Sequence, residues 1–318
     1  MLTYITEPIS SEALAYARKN LTLLTWDDPV LQDPDQAKAA LQKVEAVLVR
    51  NIPMDAAAIA SMPNLKIIAE HGVGVDNIDF AAAGQRNILV TNTPRANMNS
   101  VAELAIGLIL DCARKITMAH LSVLAGVERR APLEQTGCEI SGKVLGLVGL
   151  GKIGTTVGRR LKAGFEMEVL VYNRSDVREK CRELGFTQVK NLEELCRRAE
   201  VVSVSVALTE ETRNLIGAPE LAVMKPGAIL VNTSRGGIVN EEALYQALQA
   251  KKIYGAALDV FDEEPPAKTH PLLSCRNFVA TPHNGANTKE ALYRMGAGCV
   301  DEILRFEKGE APLAPVKR

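Results

Sequence analysis

Gly149-Leu150-Gly151-Lys152-Ile153-Gly154 is the stretch that decides the fold of this chain. It directly follows the apolar run Val144-Leu145-Gly146-Leu147-Val148. A helix-compatible stretch, Thr155-Thr156-Val157-Gly158-Arg159-Arg160-Leu161, comes after it. The order is strand, tight glycine turn, helix start, which is the context a dinucleotide pyrophosphate needs. The first glycine allows the turn and the second lets backbone approach the phosphates. The third lets helix pack on strand, and the helix N-terminus offers N–H donors and a partial positive charge. A glycine turn of this kind also serves packing alone, so the six residues carry the reading only through their strand and helix neighbours.

Working outward, short β-rich runs alternate with helical runs along the whole chain. Leu2–Thr6, Leu21–Thr25, Ala46–Arg50, Lys66–Ala69 and Ile88–Thr91 read as strands. Ser11–Lys19, Asp35–Lys43, Asp55–Ser61 and Asp79–Arg86 read as the helices between them. This βαβ rhythm predicts a parallel sheet. Thr93-Pro94-Arg95-Ala96-Asn97 interrupts it. One long helix is then expected from Ser100 to about Ala125, with Ser100 as N-cap and Glu103 completing a capping box. A second series follows, with strands Val144–Val148, Val169–Tyr172, Val201–Val206, Ile229–Asn232, Gly255–Val260 and Phe278–Ala280. Its helices include Lys152–Ala163, Asp176–Leu184, Leu192–Arg198 and Glu241–Ala250, the last capped by Asn240. A final helix, about Thr288–Lys308, is expected to return to the first domain, and the tail Glu310–Arg318 to be loose. The fold class is therefore α/β, with two doubly wound parallel-sheet (Rossmann-like) domains. Residues 1–98 plus 287–318 form one domain, and residues 99–286 form the dinucleotide-binding domain.

Composition narrows the function classes. In 318 residues, 37 Lys+Arg stand against 38 Asp+Glu, a net charge of −1, and aromatics are 4%. Neither a basic stripe nor a base-stacking surface is present, so nucleic-acid binding is disfavoured. The cysteines, Cys112, Cys138, Cys181, Cys196, Cys275 and Cys299, are scattered without a C-x-x-C pair and read as reduced core residues, with no metal site expected. The N-terminus Met1–Pro8 reads as a first strand and not as a signal peptide. The most apolar helix candidate, Val101–Ala113, contains Glu103 and Asp111 and falls short of the ~20 apolar residues that span a bilayer. The expectation is a soluble, cytoplasmic protein without membrane contact.

At the end of the strand after the glycine helix stand Asn173, Arg174 and Ser175. An Asp or Glu here would accept from the adenosine ribose hydroxyls and repel a 2′-phosphate. Asn173 carries no charge, and Arg174 and Ser175 offer a cation and a hydroxyl, which favours NADP(H), with NAD(H) the alternative if Arg174 is only a solvated loop residue. Of the four histidines, His120 reads as structural and His270 as solvated. His71 lies before a glycine loop, and His283 follows the strand Phe278–Ala280. Two further strand ends carry Arg235 and Glu264. Reduction of a 2-keto acid needs a cation for the substrate carboxylate, an imidazolium to give a proton, and a carboxylate to orient that imidazole. Each residue alone could be a surface residue; together, at successive strand ends, they read as a site.

These motifs resemble the D-isomer-specific 2-hydroxyacid dehydrogenase family over essentially the whole chain. The resemblance rests on His71–Asp79, Asn99–Glu103, Gly149–Gly154, Asn232–Gly237, Ala257–Pro265 and Pro282-His283. It implies two domains with a cleft between them, the first being substrate-binding. It implies Arg235, Glu264 and His283 as catalytic residues, and Val73, Gly74 and Asn97, with Arg235 and His283, around the substrate. Gly149, Gly151, Lys152, Ile153, Gly154, Val206 and Thr233 would line the cofactor, and Asp259 would meet the nicotinamide carboxamide. It also implies a homodimer through the helix after Ser100. Asn173 departs from the family's frequent Asp. Ser205 and Ala207 stand where many members have His and Pro. Glu70-His71 serves either substrate choice or loop support. The chain ends before the regulatory domain that some relatives carry.

The leading expectation is an NADP(H)-preferring oxidoreductase acting on a small 2-keto acid/D-2-hydroxy acid pair. One alternative is a short-type D-3-phosphoglycerate dehydrogenase, with Arg50 or Arg95 as the phosphate-binding cation. Another is a dinucleotide-sensing, corepressor-like binding protein.

Overall fold

The computed structural model describes residues 1–126 and 136–316. The chain divides into two compact units, Met1–Met98 with Ala286–Arg318, and Asn99–Gly285.

In the first unit, β1 (Leu2–Ile5), β2 (Thr22–Thr25), β3 (Ala46–Val49), β4 (Ile67–Glu70) and β5 (Leu89–Thr91) form a parallel sheet in the order β2-β1-β3-β4-β5. The order reverses at β1, the signature of a doubly wound sheet. The connecting helices are α1 (Ser11–Asn20), α2 (Pro34–Leu41), α3 (Ala56–Ala60) and α4 (Phe80–Gln85). Ser10, Asp33, Asp55 and Asp79 cap them, each side-chain oxygen accepting from an N–H of the first turn. These caps satisfy donors that the helix itself cannot, so the boundaries fall within a residue or two of those expected. Strands β3 and β4 are buried at every position, so their apolar runs do not alternate.

The chain then enters α5 (Met98–Arg114) and α6 (Ile116–Leu124), two helices where one was expected. Lys115 between them is left-handed, φ +53°. Two hydrogen bonds account for the break. In a continuous helix the Ala113 carbonyl would accept from Thr117. Here it accepts from the Cys138 N–H at 2.7 Å, and the Thr117 N–H donates instead to Asp111 Oδ1 at 2.8 Å. Ser100 is also not an N-cap: it is the third residue of α5 and buried. His120 lies exposed on α6 and supports no core.

The second unit holds a seven-stranded parallel sheet in the order β12-β11-β10-β9-β6-β7-β8. The strands are β6 (Val144–Val148), β7 (Glu168–Tyr172), β8 (Thr187–Gln188), β9 (Val201–Val204), β10 (Ile229–Asn232), β11 (Gly255–Leu258) and β12 (Phe278–Ala280). The helices are α7 (Lys152–Phe165), α8 (Arg178–Leu184), α9 (Leu192–Arg198), α10 (Ala218–Val223) and α11 (Glu241–Gln249). Asn240 caps α11 as expected, its side chain accepting from Ala243. The two-residue β8 and six-residue α10 were not anticipated; both are too short to show a period. Residues of β6 alternate between two buried clusters. Leu145 and Leu147 pack with Val157 and Leu161 of α7 on one face, and Val148 with Leu195 and Leu221 on the other. Each such fully buried side chain contributes ~1.5–3 kcal/mol, so the sheet is held from both sides. The register aligns Val148 with Val204, Val204 with Asn232, Asn232 with Leu258 and Leu258 with Ala280. Five loops therefore leave one edge together.

Helix α12 (Lys289–Glu307) packs in the first unit, on α1, β3 and β4. The tail after it, as far as Val316, is docked and not loose. Leu313 and Ala314 donate to the Glu302 carboxylate, Asn92 donates to the Ala314 carbonyl, and Val316 donates to the Val90 carbonyl of the edge strand β5. All six cysteines are unpaired, five of them buried. Burial pushes the Cys196 thiol up to about 12, so it is an inert core residue. Among the described residues, no helix is long and apolar enough to cross a membrane, and no cluster of potential metal ligands occurs.

Candidate active site

The glycine turn between β6 and α7 has the geometry of an anion cradle. Gly149 is left-handed, φ +96°, and a Cβ there would lie 2.5 Å from the Ser205 carbonyl. A Cβ on Gly154 would lie 2.3 Å from the Gly149 carbonyl, whereas one on Gly151 would meet nothing within 4 Å. The outer two positions are glycine because backbone crowds them; the middle one faces open space. Gly151 is the N-cap of α7 and, having no side chain, makes no side-chain cap hydrogen bond, so the positive end of the helix opens at Lys152 and Ile153. The Ser205 hydroxyl beside this turn and the Thr233 hydroxyl just after β10 are buried without a protein partner. Val206 follows β9 and packs against Gly149. Buried, unpartnered hydroxyls and a glycine cradle at a helix N-terminus suit the pyrophosphate and ribose of a dinucleotide.

At the end of β7, Asn173 is engaged on both sides of its amide. Its Oδ1 accepts from Leu150 N–H at 3.1 Å, and its Nδ2 donates to Ser175 Oγ at 2.8 Å. Arg174 is exposed, its guanidinium 3.7 Å from the Glu211 carboxylate. Glu211 was not singled out in the sequence, because it comes from a turn 37 positions away.

The loops after β10, β11 and β12 bring Arg235, Glu264 and His283 to one edge. His283 Nδ1 lies 2.7 Å from Glu264 Oε2, and Glu264 Oε1 accepts from Phe261 N–H at 3.0 Å. Burial pushes the Glu264 carboxyl up, but the His283 hydrogen bond, the Phe261 amide and the nearby charges of His283 and Arg235 outweigh it. Glu264 is thus held below the ordinary carboxylate range and stays ionised. Gly236, next to Arg235, sits so close to the Phe261 carbonyl that a Cβ would lie 1.9 Å from that oxygen. Backbone contact therefore couples the arginine loop to the glutamate loop. The Arg235 backbone carbonyl accepts from Asn232 Nδ2 at 2.8 Å, and its guanidinium reaches the Ser234 carbonyl at 2.7 Å.

His283 itself is left-handed, φ +52°, an uncommon state for a non-glycine residue. Asp259 holds it there. The Asp259 carbonyl accepts from His283 N–H at 2.8 Å, and its carboxylate accepts from Thr281 Oγ1 at 2.6 Å, Asn284 N–H at 2.7 Å and Gly285 N–H at 2.8 Å. Burial pushes this carboxyl up against the pull of those three donors. With 1% exposure, Asp259 uses three of its roughly four acceptor positions inside the protein. These contacts hold the histidine loop, beside the contact to the nicotinamide carboxamide that the resemblance implies for Asp259. His270 departs from the solvated loop residue expected: its Nε2 lies 3.0 Å from Glu241 Oε2, and both side chains are largely buried.

In the first unit, Val73 and Gly74 follow β4 in a loop pinned through its carbonyls. Thr93 donates to the Gly72 carbonyl at 2.8 Å and Asn92 Nδ2 to the Val73 carbonyl at 2.8 Å. Among the described residues, the Val73 and Gly74 N–H groups have no acceptor in the chain. Asn97, just before α5, is buried with its Oδ1 unpartnered. His71 is buried with neither ring nitrogen hydrogen-bonded; desolvation, and then the Arg50 charge, lower it to about 4, so it is neutral near pH 7. Arg50 donates to the Pro8 carbonyl at 3.2 Å.

Known proteins share this sequence and fold. Residues 106–285 match the model of the D-isomer specific 2-hydroxyacid dehydrogenase NAD binding domain. The chain is 37% identical to a glyoxylate reductase of Korarchaeum cryptofilum, covering 97% of this chain and 93% of that one. It is 42% identical to a D-3-phosphoglycerate dehydrogenase of Archaeoglobus fulgidus over 97% of this chain, and spans 58% of that relative's length. The crystal structure of an NADPH-dependent glyoxylate/hydroxypyruvate reductase from Sinorhizobium meliloti, in complex with NADP and malonate, superposes with a TM-score of 0.86 at 29% identity. That match covers 99% of this chain and 96% of the other. The chain belongs to the D-isomer-specific 2-hydroxyacid dehydrogenase family.

Proposed function

We propose that this protein reduces a small 2-keto acid to the D-2-hydroxy acid, with NADPH as the preferred donor. The observation that carries the reading is the 2.7 Å contact between His283 Nδ1 and Glu264 Oε2, at a strand edge shared with Arg235 and the glycine cradle. With Nδ1 turned to an ionised carboxylate, Nε2 is the atom left to give a proton to the keto oxygen. Glu264 orients the ring and stabilises the imidazolium. Arg235 binds the substrate carboxylate and polarises the carbonyl. Val73, Gly74 and Asn97 are the first unit's proposed substrate contacts, supported by the unpaired amides of that loop. The bound nicotinamide supplies the hydride. Gly149, Gly151, Lys152, Ile153, Gly154, Val206 and Thr233 are assigned to holding it.

The NADPH preference rests on Asn173, Arg174 and Ser175. Uncharged Asn173 stands directly after β7, at the position where an acid would repel a 2′-phosphate. The Arg174–Glu211 pair is exposed and screened by solvent, so the guanidinium can turn to a 2′-phosphate at little cost. Similarity to the Korarchaeum and Sinorhizobium proteins supports glyoxylate or hydroxypyruvate as substrate. Similarity to the Archaeoglobus protein supports 3-phosphohydroxypyruvate as the second reading, with Arg50 or Arg95 as the phosphate-binding cation. A second copy of this chain is the proposed partner, since α6 leaves Ile116, Leu121, Val123 and Leu124 exposed.

His283→Ala tests the assignment. It is expected to lower kcat by about 100-fold or more while leaving NADPH affinity within a few-fold. Near-wild-type turnover in that variant would remove His283 from the chemistry.

A further inference from the structure

Glu264 stands in the short turn Phe261–Glu264, and that turn is braced from behind by a second carboxylate–imidazole pair. Glu241, the first residue of α11, accepts from the Asp262 N–H through Oε1 at 2.7 Å. Its Oε2 lies 3.0 Å from His270 Nε2. The His270 ring meets the Phe261 ring edge-on, with centroids 5.6 Å apart and planes at 76°. Phe261 N–H in turn donates to Glu264 Oε1, and Glu264 Oε2 meets His283. The side chains of His270 and Glu241 are only 19% and 13% exposed, and His270 Nδ1 is buried with no partner.

This arrangement is expensive as packing. Two ionisable side chains lose most of their water, and one ring nitrogen has nothing in return. Apolar residues of similar volume would fill the same space without that desolvation cost. What the pair provides is direction. Asp262 N–H, the Phe261 ring and the Gly236–Phe261 backbone contact fix three successive parts of the turn. A displacement of about 1 Å at Glu264 would break its 2.7 Å contact with His283, and misplacement on that scale can cost as much as ~100-fold in rate.

We propose that Glu241 and His270 are positioning residues of the reaction, acting through the Phe261–Glu264 turn to set Glu264 against His283. The proposal rests on the reading of His283 and Glu264 as the proton-handling pair.

The test measures kcat, KM for the keto acid, NADPH affinity and the thermal midpoint in Glu241→Ala, His270→Ala, His270→Gln and His283→Ala. Glu241→Ala and His270→Ala are expected to lower kcat about 10-fold, with KM and NADPH affinity within about twofold. His270→Gln, whose amide can still donate to Glu241, is expected to recover most of the lost kcat. A purely structural role would lower the midpoint without this separation of kcat from KM and without rescue. Wild-type kcat in Glu241→Ala and His270→Ala, with His283→Ala inactive, would overturn the positioning role and leave the catalytic pair standing. Near-wild-type turnover in His283→Ala would overturn the pair itself and the positioning role with it. If Glu241→Ala does not fold, Glu241→Gln keeps the acceptor for Asp262 but loses the charge facing His270. A fall of about threefold in kcat is then expected, and an unchanged kcat overturns the proposal.

Discussion

His71→Leu should flatten the dependence of first-unit stability on pH. In the folded protein the imidazole is 4% exposed, with both nitrogens unpartnered. Desolvation is the main cause of its low basicity, the Arg50 charge adds to it, and together they bring the group from 6.5 to about 4. The unfolded chain therefore binds a proton between pH 6.5 and 4 that the folded chain refuses. Stability rises with pH across that window: it is complete above about 6.5, and falls as pH drops towards 4. At ~1.36 kcal/mol per pKa unit, the group accounts for about 3 kcal/mol between pH 7 and 4. Leu is close to His in volume. It removes the unpaired nitrogens beside Gly296 of α12, so stability at pH 7 should change by no more than ~1.5 kcal/mol. The assay is urea unfolding at pH 7, 6, 5 and 4.5, followed by the fluorescence of Trp26. That residue is the single tryptophan and packs in the first unit's core. Between pH 7 and 4.5 the variant should lose about 2 kcal/mol less than the wild type. Parallel curves for the two proteins would refute a buried, neutral His71.

Three further substitutions follow from particular contacts. Gly154→Ala places a Cβ 2.3 Å from the Gly149 carbonyl, so the turn must shift; nucleotide titration should show affinity reduced at least 10-fold, with a stability loss of ~1–3 kcal/mol. Arg174→Ala should lower the ratio of kcat/KM for NADPH to that for NADH by about 10-fold, and steady-state assays with both cofactors read it directly; an unchanged ratio would make Arg174 a bystander. Glu302→Ala leaves the Leu313 and Ala314 N–H groups without their acceptor, so limited proteolysis should cleave near residue 310 faster than in the wild type.

The parts of the molecule that were legible in the sequence are those governed by neighbouring residues. The strand–turn–helix at Gly149–Gly154 needs only its own glycines and the flanking apolar runs. The Asp and Asn caps announce their helices because each bonds an N–H two or three residues on. The break at Lys115 was not legible, since its cause is the Cys138 N–H, which takes the Ala113 carbonyl from 25 positions further along the chain. The same holds for His270, which looked like a loop residue until folding brought Glu241 to it. The docked tail depends on Glu302 and on the exposed edge of β5, neither of which marks the local sequence 310–316. At the candidate site, Arg235, Glu264 and His283 were identifiable because strand ends in a parallel sheet share one edge. The clamp by Asp259 was not, because it requires the left-handed turn at His283 that only the folded loop displays.

The most direct test of the whole account is oxidation of NADPH and NADH, measured side by side, with glyoxylate, hydroxypyruvate, pyruvate, phenylpyruvate and 3-phosphohydroxypyruvate. The account predicts turnover that depends on a small 2-keto acid and is faster with NADPH than with NADH, the best acid naming the substrate class. No keto-acid-dependent oxidation of either nucleotide would contradict it.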